Sequence, residues 1–444
     1  MSLAEQRWLR LFTLCVLYVA QGIPWGFMAT TLPAYLTQRG LDFGFVSATL
    51  SFTYLPYSLK WIWGPIIDSV TIPRFGRRRP WILLAQAMMA VTVISIVTFD
   101  VTTELKLLAW MVFIHTVFNA LQDVAVDALA VDLLDDDERG RANGLMYGCK
   151  YGGGLIGGYV MIEVVSYAGL DAALITQTAI LVAIMFVPLL VRERAATGPR
   201  PARQPIGDIA RSLGIAFSVR SALITVVLML GANFATGMLS ALGYKLFIGT
   251  LGWADTEYTK LTGGWALAVG GAAAAATGFL VDRFGRKSVA ATASIALAAG
   301  WFAFALLRDY WHVRELGWVS GLYTQATLAT MTVALIAMCM DLSWDKIGGS
   351  QFTAYMALSN FSTVLGQQFA VRADAVLEFH GIYIVAGCVQ VVVTTLLIFI
   401  DPTELRRTLP LPEGTRPKRW GIFALLALLT FLVVMTIRAS LKYL

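Results

Sequence analysis

The feature that most constrains this chain is a series of runs, each about 20 residues long, from which charge is nearly absent. Residues 221–244 and 288–307, for example, contain no Asp, Glu, Lys or Arg. At a rise of 1.5 Å per residue, about 20 residues cross the ~30 Å hydrocarbon core of a bilayer, and a helix satisfies its own backbone N–H and C=O groups there. Composition agrees: 57% of the 444 residues are hydrophobic and 14% are charged, against about 25% charged in soluble domains. The expected fold class is therefore an all-α polytopic membrane protein. Hydropathy places spans at 11–34, 44–67, 81–99, 106–131, 142–166, 171–191, 221–246, 261–281, 288–307, 316–340, 348–371 and 381–400. A further run, 420–437, is at the lower length limit, so it either crosses as an extra C-terminal helix or lies in the interface.

A net charge of +6 could suit nucleic acid, but the positions of the charges exclude it as a partner: they mark topology in a lipid bilayer. With the N-terminus cytoplasmic, the inside segments hold Arg7, Arg10, Arg74, Arg77, Arg78, Arg79, Arg139, Arg141, the arginines of 192–220, and Arg283, Arg286, Lys287 and Lys346. The outside holds only Arg39, Lys106, Lys245, Lys260, Arg308, Arg314 and Arg372, as the positive-inside rule requires. The first span is too long for a signal-peptide h-region and no small-residue cleavage site follows it, so it is expected to stay. Cys15, Cys149, Cys339 and Cys388 fall in apolar runs without metal or redox spacing and read as small hydrophobes.

The chain repeats itself. Phe75-Gly76-Arg77-Arg78 recurs as Phe284-Gly285-Arg286-Lys287, and the same offset of 209 aligns Gly22 with Gly231, Tyr35 with Tyr244, and Asp132-Leu133 with Asp341-Leu342. Two six-helix pseudo-repeats follow: a bundle at 1–191, a Pro- and Arg-containing cytoplasmic linker at 192–220, a second bundle at 221–400, a cytoplasmic segment at 401–419 and the hydrophobic segment 420–444. Duplicated halves with a site at their interface are the plan of many secondary transporters.

Gly278-x-x-x-Asp282-Arg283-Phe284-Gly285-Arg286-Lys287 resembles the helix 2–3 loop motif of the major facilitator superfamily. The first-half copy, Gly64-x-x-x-Asp68 followed by Arg74-Phe75-Gly76-Arg77-Arg78-Arg79, departs from it by an insertion. The resemblance implies a major facilitator fold, with Asp68, Arg77, Arg78, Asp282, Arg283 and Arg286 as gating-loop residues. Leu55-Pro56-Tyr57-Ser58-Leu59-Lys60-Trp61-Ile62-Trp63-Gly64-Pro65, Gln122-Asp123-Val124-Ala125-Val126-Asp127 and Glu138-Arg139-Gly140 are similar to the peptide/acetyl-CoA transporter family. Its members include bacterial AmpG-type muropeptide permeases and eukaryotic acetyl-CoA transporters. That resemblance implies a multi-pass protein of the bacterial inner membrane, acting as a monomer on a small-molecule substrate. It would take up anhydro-muropeptide, or acetyl-CoA as the alternative, with the proton gradient as its energy source and no cofactor.

Charge inside a bilayer costs about 2.5–3.5 kcal/mol per residue, so each instance needs a reason. Lys60 lies eight residues before Asp68, Asp123 nine before Asp132, and Lys150 nine after Arg141, which puts all three roughly 12 Å in from the same face. The fourth span carries His115, Asn119, Asp123 and Asp127 at i, i+4 spacing, one face of a helix and the composition of a proton relay. The expectation is that Asp123 exchanges the coupled proton with Asp127 and His115 assisting, while Lys60 and Lys150 hold anionic substrate groups or neutralise the vacant carboxylate. Salt bridges that merely fix packing are the competing account. Asn119 and Gln122 join the substrate residues, as do Gln21 and Trp25 beside Pro24, where the helix should loosen.

The second half has no charge deep in its spans. It offers Asn233, Tyr323, Gln325, Tyr355 and Asn360 as a neutral hydrogen-bonding wall, each of which could instead be interhelical glue. Gly152-Gly153-Gly154, Gly157-Gly158, Gly263-Gly264 and Gly270-Gly271 permit close helix contact and lack the Gly-Lys-Ser/Thr ending of a phosphate loop. An embedded enzyme would need a nucleophile or His-Asp constellation, but His115, His312 and His380 are scattered. A non-transporting assembly or sensing protein is the remaining alternative.

Overall fold

A computed structural model of the chain describes residues 2–40, 56, 57, 59–69, 76–135, 137–193 and 205–409. The segment 420–444, part of 401–419 and most of the second span therefore lie outside the described residues. The N-terminal bundle consists of α1 (Arg7–Gly26, continuing through a π turn at Phe27–Thr31 into Leu32–Gln38), α2 (Lys60–Ile62 as a 3₁₀ turn, then Trp63–Ser69), α3 (Arg79–Ser95), α4 (Leu105–Leu133), α5 (Arg139–Leu155, then a π turn at Ile156–Val160) and α6 (Met161–Leu190). Gly169, at φ 85° and ψ 172°, interrupts Met161–Leu190; only glycine adopts that backbone readily, and there the fifth crossing hands over to the sixth.

The C-terminal bundle consists of α7 (Arg220–Ala232 and Phe234–Tyr244, interrupted at Asn233), α8 (Ala266–Phe284), α9 (Arg286–Leu306), α10 (Arg314–Asp341), α11 (Gly348–Asp374) and α12 (Phe379–Thr395). No strand occurs among the described residues, and nine of their helices are long and apolar enough to cross a membrane. One of these, Arg139–Leu190, contains both crossings that Gly169 divides. α11 falls outside the nine despite its 27 residues, because Gln351, Ser359, Asn360, Gln367 and Gln368 dilute its apolar content. Within the linker, residues 206–216 form a helix, with Ile209 and Ser212 buried.

The glycines set how closely the helices pack. A Cβ on Gly22 would strike the Lys150 carbonyl, and one on Gly144 would come 2.7 Å from Gly278 Cα. α5 is thereby pressed against α1 on one side and α8 on the other. Pro24 does not end α1; the ladder widens three residues later, at Phe27–Thr31. The Thr31 hydroxyl there donates to the Gly157 and Gly158 carbonyls at 2.8 Å, within the π turn of α5.

Candidate functional site

Between the bundles lies a cavity of about 230 Å³ lined by Trp25 of α1, Tyr57 before α2 and Lys60 at its start, His115, Asn119 and Asp123 of α4, Lys150 of α5, and Asn233, Ser359 and Asn360 from the C-terminal side. A second cavity of about 550 Å³ shares Trp25 and Ala29 with it and extends away from the arginine loops, walled by Tyr151, Thr236, Ser240, Tyr258, Gln325 and Tyr383. Two chemistries thus adjoin. The inner space carries charge; the outer one is lined by aromatic rings, hydroxyls and an amide.

The depth count brings together three residues from three helices. Asp123 Oδ2 accepts from Lys60 Nζ at 2.6 Å and Oδ1 accepts from Lys150 Nζ at 2.9 Å. The Lys60 side chain is 5% exposed and that of Lys150 is 21% exposed. The Lys150 ammonium also stands 5.7 Å from the ring centroids of Tyr18 and Tyr147, within cation–π range. One carboxylate therefore serves two ammonium groups, and the more exposed of them keeps N–H donors available to the cavity.

The four-residue stripe on α4 does not hold together. His115, Asn119 and Asp123 line the cavity, but Asp127 does not, and it accepts from the Tyr18 hydroxyl at 2.5 Å instead. At 3.6 residues per turn each i, i+4 step advances about 40°, so three steps carry Asp127 off the cavity face toward α1. His115 Nδ1 lies 3.0 Å from Thr92 Oγ1 of α3, and its Nε2 has no partner among the described residues.

Other substrate candidates scatter. Asn233, at the break in α7, donates from Nδ2 to Ser359 Oγ at 2.8 Å, and its backbone N–H reaches Ser362 Oγ at 3.2 Å. Asn360 donates to the Tyr57 carbonyl at 3.4 Å, and Gln325 lines the outer cavity. The rest correct the sequence expectation. Gln122 turns to the Leu17 carbonyl of α1 at 3.3 Å, and Gln21 is fully buried away from both cavities. Tyr323 is 40% exposed on the outer surface, bonded to the Ala296 carbonyl at 2.8 Å. Tyr355 lies edge-on to Phe217, 5.5 Å between ring centroids, and accepts from Gln351 Nε2 at 3.1 Å. α10 and α11 are too evenly apolar or polar around their circumference for a sequence to say which face meets the cavity.

At the arginine-rich end the halves are tied together. Asp68 binds Arg77 at 3.0 Å, Arg78 at 2.6 Å, the backbone N–H of Ser350 at 3.0 Å and the Ser350 hydroxyl. A carboxylate thus sits at the N-terminus of α11, where the helix dipole favours it. Arg78 also reaches Asp132 at 2.8 Å. Arg139 pairs with Asp341 at 3.3 Å, Arg286 with the same carboxylate, and Arg141 with Asp282 at 2.6 Å. Arg283 stands apart from these pairs, exposed and 5.3 Å from the Phe284 ring. Ser350, Arg139, Asp341 and Glu193 were not among the sequence candidates. The Glu193 carboxylate accepts the N–H groups of Arg77, Arg78 and Arg79 at 2.8, 2.7 and 2.5 Å. No local signal links it to a loop more than 110 residues away. Among the described residues no group of His, Cys, Asp or Glu could hold a metal ion.

Comparison with known proteins agrees with this architecture. The family model of the Major Facilitator Superfamily matches residues 11–366. An uncharacterized protein of Haemophilus influenzae is 24% identical over 55% of this chain and 60% of its own length. The Escherichia coli anhydromuropeptide permease is 29% identical over 42% of this chain and 38% of its own length. The chain thus spans about 60% and 38% of these two curated relatives. A Rickettsia conorii protein that carries the designation AmpG 4 is 25% identical over 84% of this chain and 91% of its own length. Among solved structures, the transporter FucP in the outward conformation superposes with a TM-score of 0.66 at 13% identity, covering 88% of this chain and 98% of that one. The proton:xylose symporter XylE superposes with a TM-score of 0.68 at 15% identity, covering 89% and 98%. At these identities the structures establish a shared fold.

Proposed function

The chain belongs to the Major Facilitator Superfamily, a transporter family and not an enzyme family, and from that premise we propose that it is a proton-coupled, alternating-access transporter of an amphiphilic anion, best matched by an anhydro-muropeptide. The carrying observation is the Lys60–Asp123–Lys150 cluster at the wall of an inter-bundle cavity, with Lys150 its most exposed member. Intramembrane ionisable residues facing a cavity mark substrate or ion pathways.

An anionic substrate competes with Asp123 for the Lys150 ammonium, and Asp123, once released, takes a proton. Substrate entry and protonation are then coupled through one carboxylate. The neutral outer cavity accommodates the uncharged part of the same molecule, with rings against Trp25, Tyr151 and Tyr258. Inter-bundle pairs at the arginine-rich end close the cavity there until the bundles rock. The permease and AmpG 4 resemblances support the substrate class, and we place the protein in a bacterial inner membrane, N-terminus cytoplasmic, acting as a monomer.

Purified protein in liposomes under an imposed pH gradient tests the reading. Accumulation of anhydro-muropeptide in preference to acetyl-CoA, lost in Asp123→Asn and Lys150→Met, is the expected result. Unimpaired gradient-driven uptake by Asp123→Asn would overturn the coupling role, and preference for acetyl-CoA would overturn the substrate class.

A further inference from the structure

Three glutamines inside the N-terminal bundle are anomalous. Gln21 on α1, Gln86 on α3 and Gln177 on α6 are each at most 1% exposed, and neither amide atom of any of them has a hydrogen-bond partner among the described residues. None lines either cavity. Amides in transmembrane helices ordinarily bond across the helix interface, because an unpaired polar group in an apolar medium is costly. In the C-terminal bundle one buried amide is paired through its nitrogen: Gln390 of α12 donates from Nε2 to Ser294 Oγ of α9 at 2.7 Å, and Ser294 meets Thr394 at 2.5 Å.

The three positions are strung along the interior of the bundle around one level, Gln86 a turn to one side of it and Gln177 a turn to the other, because α3 and α6 run in opposite directions. Ala20, Met89 and Leu181 form one buried cluster with Phe118 packed on it, so α1, α3, α4 and α6 meet at that level. Gln86 precedes Met89 by three residues and Gln177 precedes Leu181 by four, spacings that share a helix face, and Gln21 follows Ala20 directly, at the same depth on α1. Thr92 follows Met89 by three and His115 precedes Phe118 by three, and these two side chains touch at 3.0 Å. His115 also lines the inner cavity. Toward the arginine-rich end, Thr13 is fully buried on α1, two turns before Gln21, with its hydroxyl likewise unpartnered.

We propose that these side chains hold a file of water within the N-terminal bundle, joined to the cavity at His115, and that this file carries the coupled proton toward the arginine-rich end while the inter-bundle pairs stay closed. Each amide offers both donors and an acceptor, so it can orient water either way without trapping charge as a carboxylate would. Proton and substrate then leave by different routes. The proton role rests on the proton-coupled reading above; the presence of water does not.

Hydroxyl-radical labelling of the full-length protein in lipid nanodiscs tests the water file directly. Met89 and Met161 are both essentially inaccessible, at 0% and 1% exposure, and both sit in apolar clusters of the same bundle, but only Met89 has one of the unpartnered glutamines a turn away on its own helix face. Met89 is expected to be oxidised several times faster than Met161, and Gln86→Leu/Gln177→Leu to abolish the difference. The same variant is expected to lose most pH-driven accumulation while retaining substrate exchange at equal pH on both sides. Equal labelling of the two methionines in the unaltered protein overturns the proposal, and so does a leucine variant that melts higher and accumulates substrate normally. If the unaltered protein shows no pH-driven accumulation, the transport reading fails separately, and the methionine comparison still decides whether water is there.

Discussion

Replacing Asp123 with Asn keeps the size of the side chain and removes a charge that two ammonium groups share. Lys60, 2.6 Å away and 5% exposed, loses the carboxylate it pairs with among the described residues. Orphaning a buried charge of this sort costs about 3–5 kcal/mol. Lys150 loses the same partner but keeps 21% exposure and two aromatic rings at 5.7 Å, so its share is smaller. At about 2–4 °C per kcal/mol for a domain of the N-terminal bundle's size, Asp123→Asn should melt roughly 6–20 °C lower. Lys60→Met should cost less, because Asp123 retains Lys150. The double variant Lys60→Met/Asp123→Leu should recover most of the loss, since apolar replacement of a buried pair is often neutral. Melting is followed in detergent at one fixed scan rate, because membrane-protein unfolding is commonly irreversible and rate-dependent. A wild-type midpoint for Asp123→Asn, or a double variant no better than the single, would refute the argument that Asp123 is the common counterion.

Three other outcomes follow from the packing and the placement of polar groups. Gly22→Ala drives a methyl into the Lys150 carbonyl and should destabilise by about 1–3 kcal/mol or more, visible as lost monodisperse protein in size-exclusion chromatography. Asp68→Asn weakens the ties to Arg77, Arg78 and Ser350, so alkylation of the fully buried Cys339 near that end should accelerate several-fold; an unchanged rate would mean that Asp68 does not hold the end shut. Tyr323→Phe should leave uptake unchanged, because its hydroxyl bonds a backbone carbonyl on the outer surface, whereas Asn360→Ala at the cavity wall should lower it in the same assay.

Depth proved easier to read from the sequence than direction. Counting residues inward from the loop carboxylates and arginines places Lys60, Asp123 and Lys150 at one level, because helix rise is fixed and the chain supplies its own markers. Direction needs a polar stripe, and α4 shows why a stripe is not enough: the drift that separates Asp127 from Asp123 is smaller than the width of a face at each step. Tyr355 and Gln122 were assigned to the cavity because they are polar, yet Phe217 and the Leu17 carbonyl claim them. Such partners come from elements more than 100 residues away, and no local pattern announces them. The gating loop was legible as a motif but its partners were not. Ser350 and Glu193 act through backbone N–H groups and a carboxylate at helix starts, an arrangement that appears only when the chain is folded.

The duplicated halves repeat their locks and not their interiors. Arg78 meets Asp132 in the first half, and Arg286 meets Asp341 in the second, close to the 209-residue offset of the sequence repeat. Arg79 donates to the Pro188 carbonyl at 2.7 Å where Lys287 donates to that of Ile398 at 3.1 Å. These contacts tie the start of α3 to the end of α6 and the start of α9 to the 3₁₀ turn at Leu396–Phe399 that follows α12. Mid-membrane, the resemblance ends: Asp123 with two lysines on one side, Asn233 with Ser359 on the other. A charge cluster shared by both halves would draw an anion equally to each wall and leave a proton with two places to bind. On the proposed proton-coupled reading, confining mid-membrane charge to one bundle gives the proton a single address, and the pairs that must break for the bundles to rock are then those at the arginine-rich end.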